Sequence, residues 1–255
     1  MEVVPGVYSI GHRSGLRAYL SGYSRAYLLD TGETGWMLVD TLGDADAGLV
    51  LERLGRLGRS ASDLKHILLT HAHRSHLMGL ARLKVLSGAT VHSHEWEADI
   101  IAGERRAQPV ALRSTGPASL YTMRLGLALG AGTPPCRVDA YLEDGGEVGP
   151  LRIIHTPGHT PGHVVFYWPE RRVLFTGDNV ATWPSFGAGW PDFQLDDAQF
   201  RASLLHMLVS VRRIASEHSA PVSVIAVSHG DPVTRGADVR LRSLIETTAG
   251  VESPV

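Results

Sequence analysis

The chain is predicted to be an α/β protein in which two mixed β-sheets lie face to face with helices outside. Short apolar runs typical of strands alternate with segments of helical apolar spacing in both halves of the 255 residues, and this order favours a layered α/β architecture. The composition, 44% hydrophobic and 20% charged, suits one large globular domain or two tightly joined halves. We therefore expect a single domain over residues 1–255.

Apolar patterning and glycine-rich turns predict the elements of the first half. The three predicted strands of an initial meander are Val3–Ile10, Ala26–Leu29 and Trp36–Val39. Asp44 is expected to cap a helix that ends near Leu57. A buried strand at Ile67–Leu69 precedes a helix that begins near Ser75 or His76 and ends at Gly88, and another strand follows at Ala89–Ser93.

A helical insertion is predicted at about residues 94–135, with helices over Glu95–Ala102 and Ala118–Leu129. Its apolar faces either pack on the core or form the wall of a pocket. After it, the alternation resumes. The predicted strands are Tyr141–Leu142, Leu151–His155, Val164–Trp168, Val173–Thr176 and Val222–Val227. Helices are predicted over Asp197–His218 and from Asp238 onwards.

Charge and composition narrow the classes of function and location. A net charge of -2 without a run of one sign predicts no nucleic-acid partner and no anionic membrane surface. No apolar run is long enough to span a bilayer, and the N-terminus lacks the pattern of a secretory signal. Cys136 is the only cysteine, so no intramolecular disulfide can form. These features favour the cytoplasm.

A dense histidine motif follows the predicted strand Ile67–Leu69. His71, His73 and His76 occur in the pattern HxHxxH. Side chains at i and i+2 of an extended segment point to the same side, so His71 and His73 can approach one point. His76 is expected on the first turn of the following helix. Because neutral imidazole is a common metal ligand, the motif predicts a metal site.

Three later stretches also place a polar residue at the end of a predicted strand. They are TPGHTPGH from Thr156 to His163, TGD ending at Asp178, and SHG around His229. Together with HxHxxH, these motifs make the sequence similar to the metallo-β-lactamase superfamily of metallohydrolases. The resemblance extends from Asp40 to His229, and the combination of motifs is far more specific than any one of them.

The resemblance implies an αββα sandwich with one or two metal ions at the edge of the sheets. The implied ligands are His71, His73 and His159 for the first ion, His76 and His229 for the second, and Asp178 bridging both. Asp40 resembles a position that braces the ligand loops, although an ordinary role at the end of a strand is equally open. His163 lies on the ligand loop at a position that is usually not a ligand.

One position departs from the family pattern. Ser75 stands where most members have the aspartate of HxHxDH, a residue that ligates the second ion and can carry a proton to the leaving group. A serine hydroxyl is a weak ligand and a poor general acid at neutral pH. We therefore expect one tightly held zinc ion and a second, weaker site. Ser75 and Asp178 are the candidate catalytic positions.

The expected function is hydrolysis of a small ester-like bond by attack of metal-bound hydroxide. A lactone, a thioester, and an amide such as a β-lactam are the candidate small-molecule substrates, and the aromatic loop from Thr182 to Trp190 is a candidate wall of the substrate site. Two alternatives stay open: a mononuclear iron oxidoreductase resembling persulfide dioxygenases, and a binding protein of the same fold that has lost catalysis. The oligomeric state is left open.

Overall fold

The computed structural model describes residues 1–12, 15–16, 19, 22–107, 132–190, 193–218 and 221–250. The chain divides into two compact units, Met1–Leu142 and Glu143–Val255. The predicted helix Ala118–Leu129 lies outside the described residues, as does most of the predicted insertion. The single domain expected from the sequence therefore stays a prediction.

The first unit contains a seven-stranded sheet whose strands follow one another in chain order. Its strands are β1 (Glu2–Val4), β2 (Val7–Ile10), β3 (Ala26–Asp30), β4 (Trp36–Val39), β5 (Leu64–Leu68), β6 (Thr90–Ser93) and β7 (Ala140–Tyr141). Strands β1 to β4 are antiparallel, whereas β4 to β7 are parallel. The prediction of one strand over Val3–Ile10 was wrong, because Gly6 with φ of 80° reverses the chain between β1 and β2.

The described residues of this unit form four α-helices: α1 (Gly48–Arg56), α2 (Arg74–Leu77), α3 (Leu80–Ser87) and α4 (Glu95–Ile101). They pack a buried apolar face on the sheet, with Leu54, Leu77 and Leu83 in the same core as the strand residues. Asp44 is not the N-cap residue predicted for α1, since Ala47 occupies that position. The Asp44 carboxylate nevertheless accepts a hydrogen bond from the first helical N–H, at Gly48, at 2.8 Å.

The predicted continuous helix from Ser75 to Gly88 is interrupted between α2 and α3. The Met78 N–H donates to the Leu42 carbonyl at 3.0 Å instead of continuing the helix. Gly79 passes so close to the preceding loop that a Cβ there would lie 2.8 Å from the Thr41 carbonyl oxygen. This tertiary contact with residues 40–47 overrides a helical pattern that is regular in the sequence.

The second unit contains a five-stranded sheet in the order β12-β11-β10-β9-β8. Its strands are β8 (Glu147–Val148), β9 (Leu151–His155), β10 (Val164–Trp168), β11 (Val173–Gly177) and β12 (Val224–Val227). Among the strand pairs described in this sheet, β11–β12 is parallel and the other three are antiparallel. Helices α5 (Asp197–Glu217) and α6 (Ala237–Ala249) pack on it. Two mixed sheets with attached helices confirm the predicted fold class, although the short strand β8 was not predicted.

Candidate metal centre

The first three candidate ligands lie together where β5 ends in the first unit. His71, His73 and His76 are each at most 5% exposed. His71 Nε2 lies 3.0 Å from His73 Nδ1, and the ring centroids of His71 and His76 are 4.1 Å apart. The expectation from strand geometry holds, since the residues two positions apart direct ring nitrogens to one point.

The side chains of Asp40 and Thr70, both buried, hydrogen-bond Nδ1 of His76 and of His71, respectively. The Asp40 carboxylate accepts hydrogen bonds from Thr70 N–H at 2.9 Å, from the Thr70 hydroxyl at 2.9 Å and from His76 Nδ1 at 2.8 Å. The Thr70 hydroxyl therefore has no second proton to give and accepts from His71 Nδ1, at 3.1 Å. Asp40 thus braces the ligand loop, as its resemblance to the family position implied.

The loop that follows Asp40 clamps the same histidine through its backbone. Thr41 directs both its N–H and its hydroxyl to the His76 carbonyl oxygen, at 2.6 and 2.9 Å. Asp40 and Leu42 both have left-handed backbone conformations, with φ of 60° and 65°. Such conformations cost free energy in residues other than glycine. The backbone is therefore strained at the residue that orients His76.

The other three candidate ligands lie together in the second unit. His159 follows β9, Asp178 follows β11 and His229 follows β12, and all three are buried. One carboxylate oxygen of Asp178 lies 3.3 Å from His159 Nε2, and the other lies 3.5 Å from His229 Nε2. The carboxylate thus faces a different imidazole with each oxygen, an arrangement suited to a ligand shared by two ions.

Two glycines allow the second-unit loops to take this arrangement. Gly158 has φ of 126°, and a Cβ there would collide with the backbone of Phe200 on α5. Gly230 has φ of 102°, and a Cβ there would collide with the Thr182 hydroxyl. Neither position can hold another residue without moving the loop that carries His159 or His229.

His163 and Gln194 support the second-unit ligands. His163 is fully buried and accepts the Asp178 N–H on Nε2 at 3.1 Å, while its Nδ1 lies 2.8 Å from the Thr156 hydroxyl. His163 therefore positions Asp178. His159 Nδ1 donates to Gln194 Oε1 at 3.2 Å. Gln194 lies 35 positions from His159, and its role was not predicted because no local motif marks it.

The aromatic loop from Thr182 to Trp190 contacts one candidate ligand, His229, directly. The ring of Trp190 stands edge-on to His229 with centroids 4.7 Å apart, and its Nε1 donates to the Trp183 carbonyl oxygen at 3.1 Å. Gln194 Nε2 donates to the Trp190 carbonyl oxygen at 3.1 Å. Trp190 is thus fixed at both its ring and its backbone beside a candidate ligand.

Ser75 lies on α2 between the N-cap residue His73 and His76, and it is half-buried. Two other histidines, His92 and His94, lie at or directly after the end of β6. His92 on β6 bonds His66 across the sheet, with Nε2 3.0 Å from Nδ1. His94 caps α4 by accepting the Trp96 N–H at 3.3 Å. Both histidines therefore have structural partners.

The histidine and aspartate side chains that could hold a metal ion occur in both units. Across the described ranges, we find no helix with the length and apolarity needed to cross a bilayer.

Comparison with known proteins identifies relatives with hydrolase names. The chain is 32% identical over 150 residues to a hydroxyacylglutathione hydrolase of Cereibacter sphaeroides, covering 59% of this chain and 44% of the relative. It thus spans less than half the length of that relative. The chain is also 28% identical over 213 residues to hydroxyacylglutathione hydrolase GloC of Haemophilus influenzae. This match covers 80% of this chain and 84% of the relative.

The fold recurs in solved structures, and the sequence matches a family profile. TTHA1623 in a di-iron-bound form superposes with a TM-score of 0.58 at 28% identity, covering 86% of this chain and 93% of that one. The profile of the metallo-beta-lactamase superfamily matches residues 21–215, which is well over half of the chain. The protein therefore belongs to the metallo-beta-lactamase superfamily.

Proposed function

We propose that the protein is a metal-dependent hydrolase, with zinc as the metal, that cleaves a small ester-like bond. The proposed ligands are His71, His73 and His159 for one ion, His76 and His229 for a second, and Asp178 for both. Superfamily membership over residues 21–215 supports this assignment. So does the chemistry of the donors, since buried imidazole and carboxylate groups are the set that zinc takes in hydrolytic sites.

The observation that carries the proposal is how the imidazoles are held. His71, His76 and His159 each engage Nδ1 with a neighbouring oxygen, at 3.1, 2.8 and 3.2 Å. Metal-ligating histidines characteristically donate one ring N–H to such a partner while the other nitrogen binds the ion. The same pattern at three rings in two units is difficult to explain by packing alone. It supports Nε2 as the metal-binding atom of each of these rings.

A bound zinc ion would supply an activated water at neutral pH and would polarise the substrate carbonyl. Asp178, with its two oxygens directed at His159 and His229, would fix the spacing of the ligands. Ser75 has a hydroxyl at the position where most members of the family have a carboxylate. This hydroxyl cannot donate a proton to the leaving group efficiently at neutral pH. We infer a slow hydrolase or one that acts on substrates with a good leaving group, since a placed proton donor contributes ~10²–10⁴-fold.

The names of the two relatives suggest the substrate class. Both are hydroxyacylglutathione hydrolases, and an acyl group carried on glutathione is a thioester. A thiolate is a good leaving group, which agrees with the replacement of the carboxylate by Ser75. We therefore place thioesters ahead of lactones and β-lactams. Trp183 and Trp190 are proposed to form an apolar wall against the acyl group.

The test combines metal analysis with a hydrolysis screen over thioesters, lactones and β-lactams. We expect zinc in the purified protein and thioester hydrolysis that disappears in His159→Ala. The matched control is His206→Ala, since His206 is an exposed histidine of the same unit. Hydrolysis that persists in His159→Ala at the wild-type rate would refute the proposal.

A mononuclear iron oxidoreductase remains the second candidate. The di-iron form of TTHA1623 shows that this fold accepts iron, and imidazole ligands suit both metals. Iron in the purified protein together with oxygen consumption would favour this candidate. Metal binding without turnover on either screen would favour the third, a binding protein that has lost catalysis.

A further inference from the structure

We propose that Glu97 is a positioning residue for the His71–His73 pair, an inference that rests on the proposed metal site. Glu97 lies on α4 and is fully buried. Its Oε2 accepts the backbone N–H of Ala72 at 3.1 Å. Ala72 is the residue between the two histidines, so this one hydrogen bond fixes the peptide that joins two proposed ligands.

The burial of Glu97 requires an explanation beyond packing. Removing an ionised carboxylate from water is costly unless it gains hydrogen bonds or a compensating positive charge. Glu97 sits in the first turn of α4, where the helix dipole favours negative charge. Neighbouring Glu95 has the same advantage while remaining exposed. The helix end therefore does not by itself account for a carboxylate at the buried position.

Two effects of Glu97 on the histidines follow from its geometry. A hydrogen bond to an ionised acceptor is stronger than one to a neutral acceptor, so an ionised Glu97 would hold the Ala72 peptide more firmly than an amide side chain could. The peptide sets the directions in which His71 and His73 leave the backbone. In addition, an ionised Glu97 at this position would favour the metal-loaded state by attracting the cation.

A purely structural role predicts a different result. Glu97 would then tie α4 to the end of β5, and its replacement would lower stability equally with and without metal. A positioning role instead lowers metal affinity in protein that remains folded. Affinity for zinc, measured by competition with a chelator, separates the two. The visible absorption of the cobalt(II)-substituted protein gives a second readout, because it reports ligand geometry.

The experiment compares Glu97→Gln, which keeps the shape and removes the charge, with Glu95→Gln, which removes an exposed charge from the same helix. We expect zinc affinity to fall about 10–100-fold in Glu97→Gln, with a changed cobalt(II) spectrum and an unfolding midpoint of the metal-free protein close to that of the wild type. Glu95→Gln should match the wild type. If Glu97→Gln does not fold, Glu97→Asp is measured instead, and its zinc affinity should also be lower than that of the wild type.

The possible failures are distinguishable. Wild-type zinc affinity in folded Glu97→Gln would overturn the role of Glu97 while leaving the proposed hydrolase intact. A wild-type protein that neither binds zinc nor hydrolyses any substrate would overturn the proposed function itself.

Discussion

Acidification from pH 7 to pH 4 should destabilise the protein through a pair of histidines, His66 and His92, that are not among the proposed ligands. His66 on β5 and His92 on β6 share a hydrogen bond of 3.0 Å, so one nitrogen must be protonated and the other not. His92 is 7% exposed. Burial is the main cause that lowers the pKa of His92 to about 4; the nearby His66 and Lys84 also lower this pKa, and Asp139 opposes them. Burial also lowers the pKa of His66.

The sign and size of the loss of stability follow from the difference between the pKa of His92 in the folded protein and its pKa in the unfolded chain. Above pH 6.5 His92 is neutral in both the folded and the unfolded chain, so its contribution to stability is fully present. Between pH 6.5 and about 4, His92 binds a proton in the unfolded chain but stays neutral in the folded protein. Each pH unit costs about 1.4 kcal/mol while only the unfolded chain binds the proton. Because His92 in the folded protein is itself half-protonated near pH 4, the fall from pH 6.5 removes about 3 kcal/mol.

The assay is urea unfolding at pH 7 and pH 4 of metal-free protein, since the proposed ligands would also release metal in this range. Wild type should lose about 3 kcal/mol more than His92→Gln, which keeps hydrogen-bonding capacity without titrating. His66→Gln should show a smaller loss than wild type, because the positive charge near His92 is removed. Equal losses in wild type and His92→Gln would refute the assigned cause.

Three further substitutions test the metal centre. Ser75→Asp should raise the metal retained after exhaustive dialysis from one ion per chain to two, measured by elemental analysis; two firmly held ions in the wild type would contradict this. Asp178→Asn should cut the hydrolysis rate at least about 100-fold, whereas Asp144→Asn, an exposed control in the same unit, should not. Gln194→Leu removes the acceptor for His159 Nδ1 and should weaken zinc binding about 10-fold or more, with unchanged affinity as the contrary result.

The strands were predictable because their signals are local. Trp36–Val39 and Leu151–His155 have the bounds that their apolar runs predict, and Asp40, which braces the ligand loop, directly follows the first of them. The break between α2 and α3 was not predictable. It depends on Gly79 meeting the Thr41 carbonyl oxygen, a contact between segments that no helical periodicity contains.

Two supporting residues of the site, Glu97 and Gln194, were also not predictable from the sequence. Glu97 lies 25 positions from Ala72, and Gln194 lies 35 positions from His159. Each occurs in an ordinary polar stretch, and each acquires its role only when the fold brings it behind a ligand. The role of His163 was not predictable for another reason: its motif places it beside the ligands but does not indicate that its ring accepts the backbone N–H of Asp178.

The ligand-bearing loops break local rules that the rest of the chain obeys. Asp40 and Leu42 hold left-handed backbone conformations, which cost about 1 kcal/mol or more each. The Asn179 side chain, next to Asp178, is fully buried and its amide has no hydrogen-bond partner among the described residues. Apolar periodicity predicts what stabilises a fold, so it cannot predict positions that lower stability. Such violations are expected where a sequence is selected for function, and their location at the ends of β4 and β11 agrees with the proposed centre.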